Sequence, residues 1–415
     1  MNNHVTLLCH CGFKLNYALI NHDEGLPLTE NNPQLATPLS VRQVTLSHLR
    51  CHQALIWSCT PGMNLVIGVN GCGKTTLLES VYMMAHGRSF RQARDPFLLR
   101  HGEQRFMIHG QWQRFGPMHL SVAGRRGQTT IRLQGRDIQR RKDVSESFPV
   151  LVEAPQGRRL IDGAPGERRR WLDTLAMTCF ESVRTHYQHY MRAIMQRSRL
   201  LRQRAGADEL TVWEQQIVCH GEPIVATRQG LVEELNALLV DELQLTEYPV
   251  SLEMSVTDYQ RQDWLRRLAD RREEDRRAGS LRFGPHSDVV RIQFQQREIR
   301  SAGSRGQQRL AAIALKMAEC GLWMRYRRLI PVLLLDDCLE ALDSERQCRV
   351  LERLQQSHAQ VLMTAPAGIT VPDQIDIDIQ VLSAQGLCAL DDRNMTAAIV
   401  PTVVAEQAIK LEEAA

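Results

Sequence analysis

Two short patterns, held far apart in the chain, constrain this sequence more than anything else in it. The apolar run of residues 63–69 leads into Gly68-Val-Asn70-Gly71-Cys-Gly73-Lys74-Thr75-Thr76, and a segment with helical spacing, TTLLESVYMMAHG, follows. A strand, a glycine-rich turn and a helix in that order form a phosphate loop. The glycines let backbone N–H groups turn inward, and the helix N-terminus adds its positive end to the same site. Lys74 is placed to reach the β- and γ-phosphates of a nucleotide, and Thr75 to offer its hydroxyl to Mg²⁺. The second pattern, Ile330-Pro-Val-Leu-Leu-Leu-Asp336-Asp337, is an apolar strand ending in acid. It is expected to bury beside the phosphate-loop strand. Asp336 reads as the metal-side carboxylate, and Asp337 as the group that orients or deprotonates an attacking water. Lys74 and Asp336 are 262 positions apart, which predicts a head interrupted by an inserted arm.

A third element suggests how the nucleotide is shared. Ser304-Arg-Gly306-Gln307-Gln308-Arg309 opens a helical run, LAAIALKMAE, 32 residues before Asp336. A small hydroxyl and a glycine at a helix start make a second anion site. One chain already has its phosphate loop, so the second site predicts a nucleotide sandwiched between two copies, with Glu340-Ala-Leu342-Asp343 at the same interface.

Charge sharpens the picture only when it is resolved along the chain. The total is 51 Lys+Arg against 47 Asp+Glu, a net of +4, which excludes a strongly basic or strongly acidic protein. Residues 39–158 nevertheless hold 17 basic and 7 acidic residues, whereas residues 159–280 hold 18 and 20. Arg125, Arg126, Arg140, Arg141 and Lys142 lie on short strands and turns of the basic stretch, and they predict contacts to nucleic-acid phosphates without base readout. Only five of the 51 basic residues are Lys, and one of them is Lys74, where a compact point charge suits the loop better than a planar fork.

The periodicities predict an α/β chain. Residues 1–38 read as an N-terminal extension. Residues 39–158 form a head lobe with the phosphate loop and the basic strands, and residues 159–280 form a helical arm. Residues 281–384 form the second lobe with the acidic strand, and residues 385–415 form a C-terminal extension. The charge-dense run 261–277 reads as one solvated helix. No apolar run approaches the ~20 residues of a membrane span. The start of the chain lacks the pattern of a secretion signal, and eleven scattered cysteines fit reduced thiols, which together predict a cytoplasmic protein without membrane contact. Cys9-His10-Cys11 has no second ligand pair at zinc-site spacing.

Taken together, these residues resemble the RecF family, the ATP-binding-cassette ATPases of bacterial DNA maintenance. The resemblance covers about residues 39–384. It rests on LSVRQVTLSHLR with Arg50, the loop GVNGCGKTTLLESVY, HGRSFR (86–91), LIDGAP with RRRWLD (160–173), VWEQQIVCHGEPIVATR (212–228), Gly284-Pro-His286, SRGQQR, LLLDDCLEALD and QVLMT. Ser287 departs from the family, which usually continues with a basic residue. The resemblance implies a head of two lobes with mixed β sheets and an inserted helical arm. It also implies ATP and Mg²⁺ as ligands, Arg50 at the nucleotide, and Gln156 as the glutamine that senses the metal. By the same resemblance, ATP drives homodimerisation on duplex or gapped DNA, weak DNA-dependent hydrolysis resets the dimer, and RecO and RecR are partners in loading RecA. Two other readings share these motifs: an ATP-gated DNA tether with incidental turnover, and a related head serving phage defence.

Overall fold

A computed structural model describes residues 37–91, 97–125, 128–155, 160–255, 260–366, 369, 371–383, 386–389 and 398–399. Most of both extensions, with Cys9-His10-Cys11, and the candidates Arg126 and Gln156 lie outside the described residues.

Two sheets enclose the phosphate-loop helix, Lys74–His86. The first has six antiparallel strands in the order His52–Ser58, Ser40–Leu49, Arg105–Gln113, Pro117–Arg125, Gln128–Leu133 and Arg136–Asp137. The second has seven, of which five run parallel: Ile377–Ser383, Met63–Gly68, Val361–Pro366, Val332–Leu335 and Val150–Glu153. Gly386–Ala389 and Ala398–Ile399 extend it antiparallel. Ten of the thirteen residues of the helix are buried, as a helix covered by sheets on both sides requires.

The inner parallel strands, such as Val332–Leu335 and Val361–Pro366, are buried on both faces and read as apolar runs rather than as alternation, whereas Ile377–Ser383 is mostly half-buried and alternates. Their side chains still alternate. Val66, Val150, Val332, Leu334 and Leu362 enter the core around the phosphate-loop helix. Leu65, Leu151, Leu333, Leu335, Val361 and Met363 enter a second core on the opposite face, roofed by the Arg305–Arg327 helix. The acidic strand does not lie beside the phosphate-loop strand, as the sequence had suggested. Val361–Pro366 intervenes, with Met63 and Leu333 both in register with Val361. The two strands stand two strand spacings apart, about 10 Å.

Three helices, Pro165–Cys179, Glu181–Gln203 and Ala207–Val240, form most of the arm. Gly221 lies where the long helix meets the ring of Trp264, and a Cβ there would run into the indole. Two sequence readings need correction. The charge-dense run is two helices, Arg261–Asp270 and Arg272–Ala278, which turn Trp264, Leu268 and Asp275 inward. Residues 159–280 are not wholly helical either. Val250–Ser255 is a strand paired antiparallel with Val289–Phe294, beyond the expected boundary at 280. Among the described residues, no helix is long and apolar enough to cross a membrane.

Candidate functional site

The loop between Gly68 and Lys74 is shaped by glycine where side chains cannot fit. Gly71 and Gly73 hold left-handed φ values of 86° and 104°. A Cβ at Gly68 would come within 2.6 Å of the Leu382 carbonyl oxygen. The loop is braced from the first sheet by His52, whose Nε2 lies 3.2 Å from the Gly73 oxygen and whose pKa burial pushes down. Lys74 is 4% exposed, and its Nζ donates to the carbonyls of Gly68 at 2.7 Å and Val69 at 3.2 Å. The amine is thereby held across the interior of the loop. Asn70 sits exposed at the loop's tip, and Thr76 is buried in the helix's first turn.

The acidic strand reaches this loop through hydroxyls. Thr75 Oγ1 donates to Asp336 Oδ1 at 2.9 Å, and Thr364 Oγ1 donates to the same oxygen at 2.8 Å. Burial pushes the Asp336 carboxyl above the ordinary carboxylate range, against the pull of those two hydrogen bonds. A divalent cation would reverse that penalty. Asp336 and Thr75 offer the hard oxygen donors that Mg²⁺ takes, and the remaining positions would fall to phosphate and water. No cluster of three or more His, Cys, Asp or Glu suited to a metal occurs among the described residues. Asp337 is turned out of the strand at φ 45°, with its N–H donating to Thr364 Oγ1 at 3.0 Å. Thr364 therefore touches both acids. The family resemblance marked Thr364 as the last residue of QVLMT, but nothing in the chain says that its strand lies between the loop and the acids.

Ser304 opens the Arg305–Arg327 helix with a complete capping box. Its Oγ accepts from the Gln307 N–H at 3.3 Å, and Gln307 Oε1 accepts from the Ser304 N–H at 2.8 Å. Gly306 stands against the turn that follows the acidic strand, where a Cβ would lie 3.3 Å from the Ala341 oxygen. Asp343 ends that turn and caps the Ser344–Gln355 helix by accepting from the Arg346 N–H at 2.9 Å. Ser304, Gly306, Gln307 and Asp343 thus share one corner.

A model of the RecF/RecN/SMC N-terminal domain matches residues 40–371. The DNA replication and repair protein RecF of Stenotrophomonas maltophilia is 34% identical over 343 residues, covering 79% of this chain and 93% of that protein. The chain belongs to the RecF family. The RecF of Moorella thermoacetica is 32% identical over 340 residues, covering 80% of this chain and 91% of its own. A solved structure of the recombination mediator protein RecF with ATP, in the RecFOR pathway, has a TM-score of 0.70 at 21% identity and covers 86% of this chain and 98% of that one. A Smc head domain from Pyrococcus furiosus has a TM-score of 0.51 at 14% identity, covering 90% and 99%. The fold is that of the ATP-binding-cassette ATPase heads.

Two RecF-family motifs have structural partners in this chain. Arg50 forks onto Glu79 of the phosphate-loop helix at 2.5 and 2.7 Å, and Ser89 donates to the same carboxylate. Glu79 is fully buried, and its signal in the sequence was a lone acid inside the apolar run LLESVYMM. Gly284-Pro-His286 joins arm to head. His286 Nδ1 lies 2.8 Å from the Tyr190 hydroxyl, and Arg228 donates to the Pro285 oxygen at 2.6 Å. Ser287, where the family usually has a basic residue, donates to the Gly284 oxygen at 2.7 Å and so closes the turn.

The described basic candidates of this RecF-family head lie at a strand end of the antiparallel sheet and at the start of the helix that follows it. Exposed Arg125 ends its strand in register with exposed Arg105 and with Gln128. The Ile138 N–H donates to the Ile131 oxygen at 2.9 Å, which carries the chain back toward that end before Arg140. Arg140 caps the Arg141–Ser147 helix, and Arg141 lies against Gly87. Lys142 pairs with Glu146 at 3.5 Å, so its charge is partly answered within its own helix. Of the aromatic residues in this stretch, Phe106 and Trp112 are buried, which removes them as stacking platforms for bases.

Proposed function

We propose that this chain is an ATP-dependent DNA-binding protein of recombinational repair and replication-fork maintenance. ATP pairs two copies on duplex or gapped DNA, and slow DNA-dependent hydrolysis separates them. The carrying observation is that one chain presents two anion-ready helix ends but a single phosphate loop. The loop supplies the Gly68–Gly73 backbone with Lys74, Thr75 and Thr76. The corner of Ser304, Gly306, Gln307 and Asp343 would meet the γ-phosphate held by the other copy. Because one nucleotide then touches two chains, ATP stabilises the pair by mass action.

In this reading, Lys74 answers the charge of the β- and γ-phosphates, and Thr75 with Asp336 holds Mg²⁺. When bound, the metal neutralises phosphate charge during transfer. Asp337, aimed out of the strand and steadied by Thr364, orients the attacking water and accepts its proton. Arg50 stands at the nucleotide, where its fork onto Glu79 also fixes the helix that carries the loop. Gln156 is carried forward as the metal sensor on family resemblance. Arg125, Arg126, Arg140, Arg141 and Lys142 bind DNA phosphates irrespective of sequence. Work in the cytoplasm with RecO and RecR to load RecA is what membership of the family suggests, and a solved RecF in the RecFOR pathway supports it.

Sedimentation with and without ATP, in the presence of duplex, gapped or single-stranded DNA, tests the switch and the substrate together. ATP should convert monomer to dimer, and Ser304→Arg should block the dimer while each monomer still binds ATP. A Ser304→Arg protein that dimerises normally would remove the shared-nucleotide reading.

A further inference from the structure

One side chain bonds to the proposed interface corner and to the arm as well. Arg346 lies in the first turn of the Ser344–Gln355 helix. One nitrogen donates to Asp343 Oδ2 at 2.9 Å. That same nitrogen lies 4.0 Å from where a Gly306 side chain would begin, so it borders the Ser304 helix end. The rest of the guanidinium forks onto Glu247 at 3.0 and 2.9 Å. Glu247 stands at the foot of the arm, just after the Leu243–Thr246 turn that follows the long arm helix.

The contact is anchored rather than incidental. Arg349, one turn further along the same helix face, also donates to Glu247, and Arg353 donates to buried Glu242 at 2.9 Å. Hydrogen bonds from Arg346 and Arg349 hold the Glu247 carboxyl down at about 2, so it remains a carboxylate at any working pH. An isolated surface ion pair contributes little, but a string of forked pairs along one helix behaves as a unit.

We infer that Arg346 is a positioning residue that passes nucleotide-driven pairing of the heads to the arm: movement of Asp343 and the Ser304 helix end at the interface shifts its fork on Glu247. The inference rests on the shared-nucleotide reading. A second copy's nucleotide at the corner brings phosphate charge within reach of Asp343 and Arg346. Any shift of the guanidinium toward that charge must pull on Glu247 or release it, because the bonds to Asp343 and Glu247 use one rigid planar group.

The test uses the full-length chain and combines sedimentation with amide hydrogen exchange over residues 241–255, each with and without ATP. In the wild type, ATP should produce a dimer together with a several-fold change in exchange at the arm foot. Glu247→Gln should still dimerise but lose that change. Arg346→Lys keeps the charge but cannot fork onto Glu247 while holding Asp343, so it should lose the change as well, and it serves if Glu247→Gln fails to fold. Glu345→Gln, which alters an exposed neighbour on the same helix, should behave as wild type. A folded Glu247→Gln or Arg346→Lys dimer with an undiminished change would overturn the inference, as would a wild-type dimer with a silent arm foot. In both cases the shared-nucleotide reading would stand. A wild type that stays monomeric with ATP would overturn both.

Discussion

The arm and the nucleotide edge both bury charge, and they treat it in opposite ways. In the arm, Arg197 is fully buried and every nitrogen of its guanidinium is used: Glu214 accepts at 2.9 Å, Asp275 at 2.7 Å and the Leu268 carbonyl at 2.7 Å. Arg228 is answered just as fully by Asp173, Asp288 and the Pro285 carbonyl. At the nucleotide edge, Asp336 is buried against two hydroxyls, and burial outweighs the pull of the Arg91 charge on its carboxyl. Lys74 donates to two carbonyls, those of Gly68 and Val69. Charge that serves the fold arrives with its counter-charge, whereas charge at the proposed site is left for a ligand to complete.

That contrast can be broken most directly at Lys74. Lys74→Ala should abolish ATP binding and ATP-dependent dimerisation while leaving the thermal midpoint nearly unchanged. Nucleotide titration beside a melting curve checks both, and a collapse of the fold would place Lys74 with the structural charges instead. The converse holds at Arg197. Arg197→Met strands Asp275 without its partner and should cost about 3–5 kcal/mol in urea unfolding, since removing one member of a buried pair leaves the other uncompensated. Nucleotide affinity per folded monomer should not change.

Acid offers a gentler probe. Burial holds His86 at about 4, below its ordinary 6.5, with Nε2 2.9 Å from the Val150 oxygen. Between those two values the unfolded chain takes up a proton that the folded chain refuses. Stability should therefore fall as pH drops from 6.5 toward 4, by on the order of 2–3 kcal/mol from this group. His86→Gln keeps a donor for Val150 and should flatten that part of the pH–stability curve. The smallest effect is expected at Asp336. Asp336→Asn removes a desolvated charge, so it should raise the stability of the nucleotide-free chain by up to about 1 kcal/mol while eliminating Mg²⁺-dependent hydrolysis. A destabilised Asp336→Asn protein would mean that the carboxylate is already satisfied without a metal.

The same contrast explains what could be read from the sequence. Lys74, Thr75 and the Asp336–Asp337 pair were visible because a strand, a turn and a helix are local, and their chemistry is written in adjacent residues. Thr364 was marked only by resemblance, through QVLMT; its contact with both acids comes from strand order, and order is decided by packing across about three hundred residues. The arm's ion networks were equally hidden. Arg197 and Arg228 look like any helix-surface arginine until Glu214, Asp275, Asp173 and Asp288 are brought to them from other segments. Val250–Ser255 did carry a signal, with Val250 and Leu252 buried in alternation, but it is short and follows one of the longest helical runs in the chain.

The two-sided sheet has an evolutionary consequence. Each central strand sends successive side chains to different cores, so a one-residue insertion within Val361–Pro366 would exchange the destinations of every later side chain in that strand and swing Thr364 away from Asp336. Substitution of one apolar residue for another is forgiven there, but a change of length is not. Over the history of such a chain, growth and shrinkage are confined to hairpins, to the arm and to the ends, while the strands that frame the nucleotide edge keep their register.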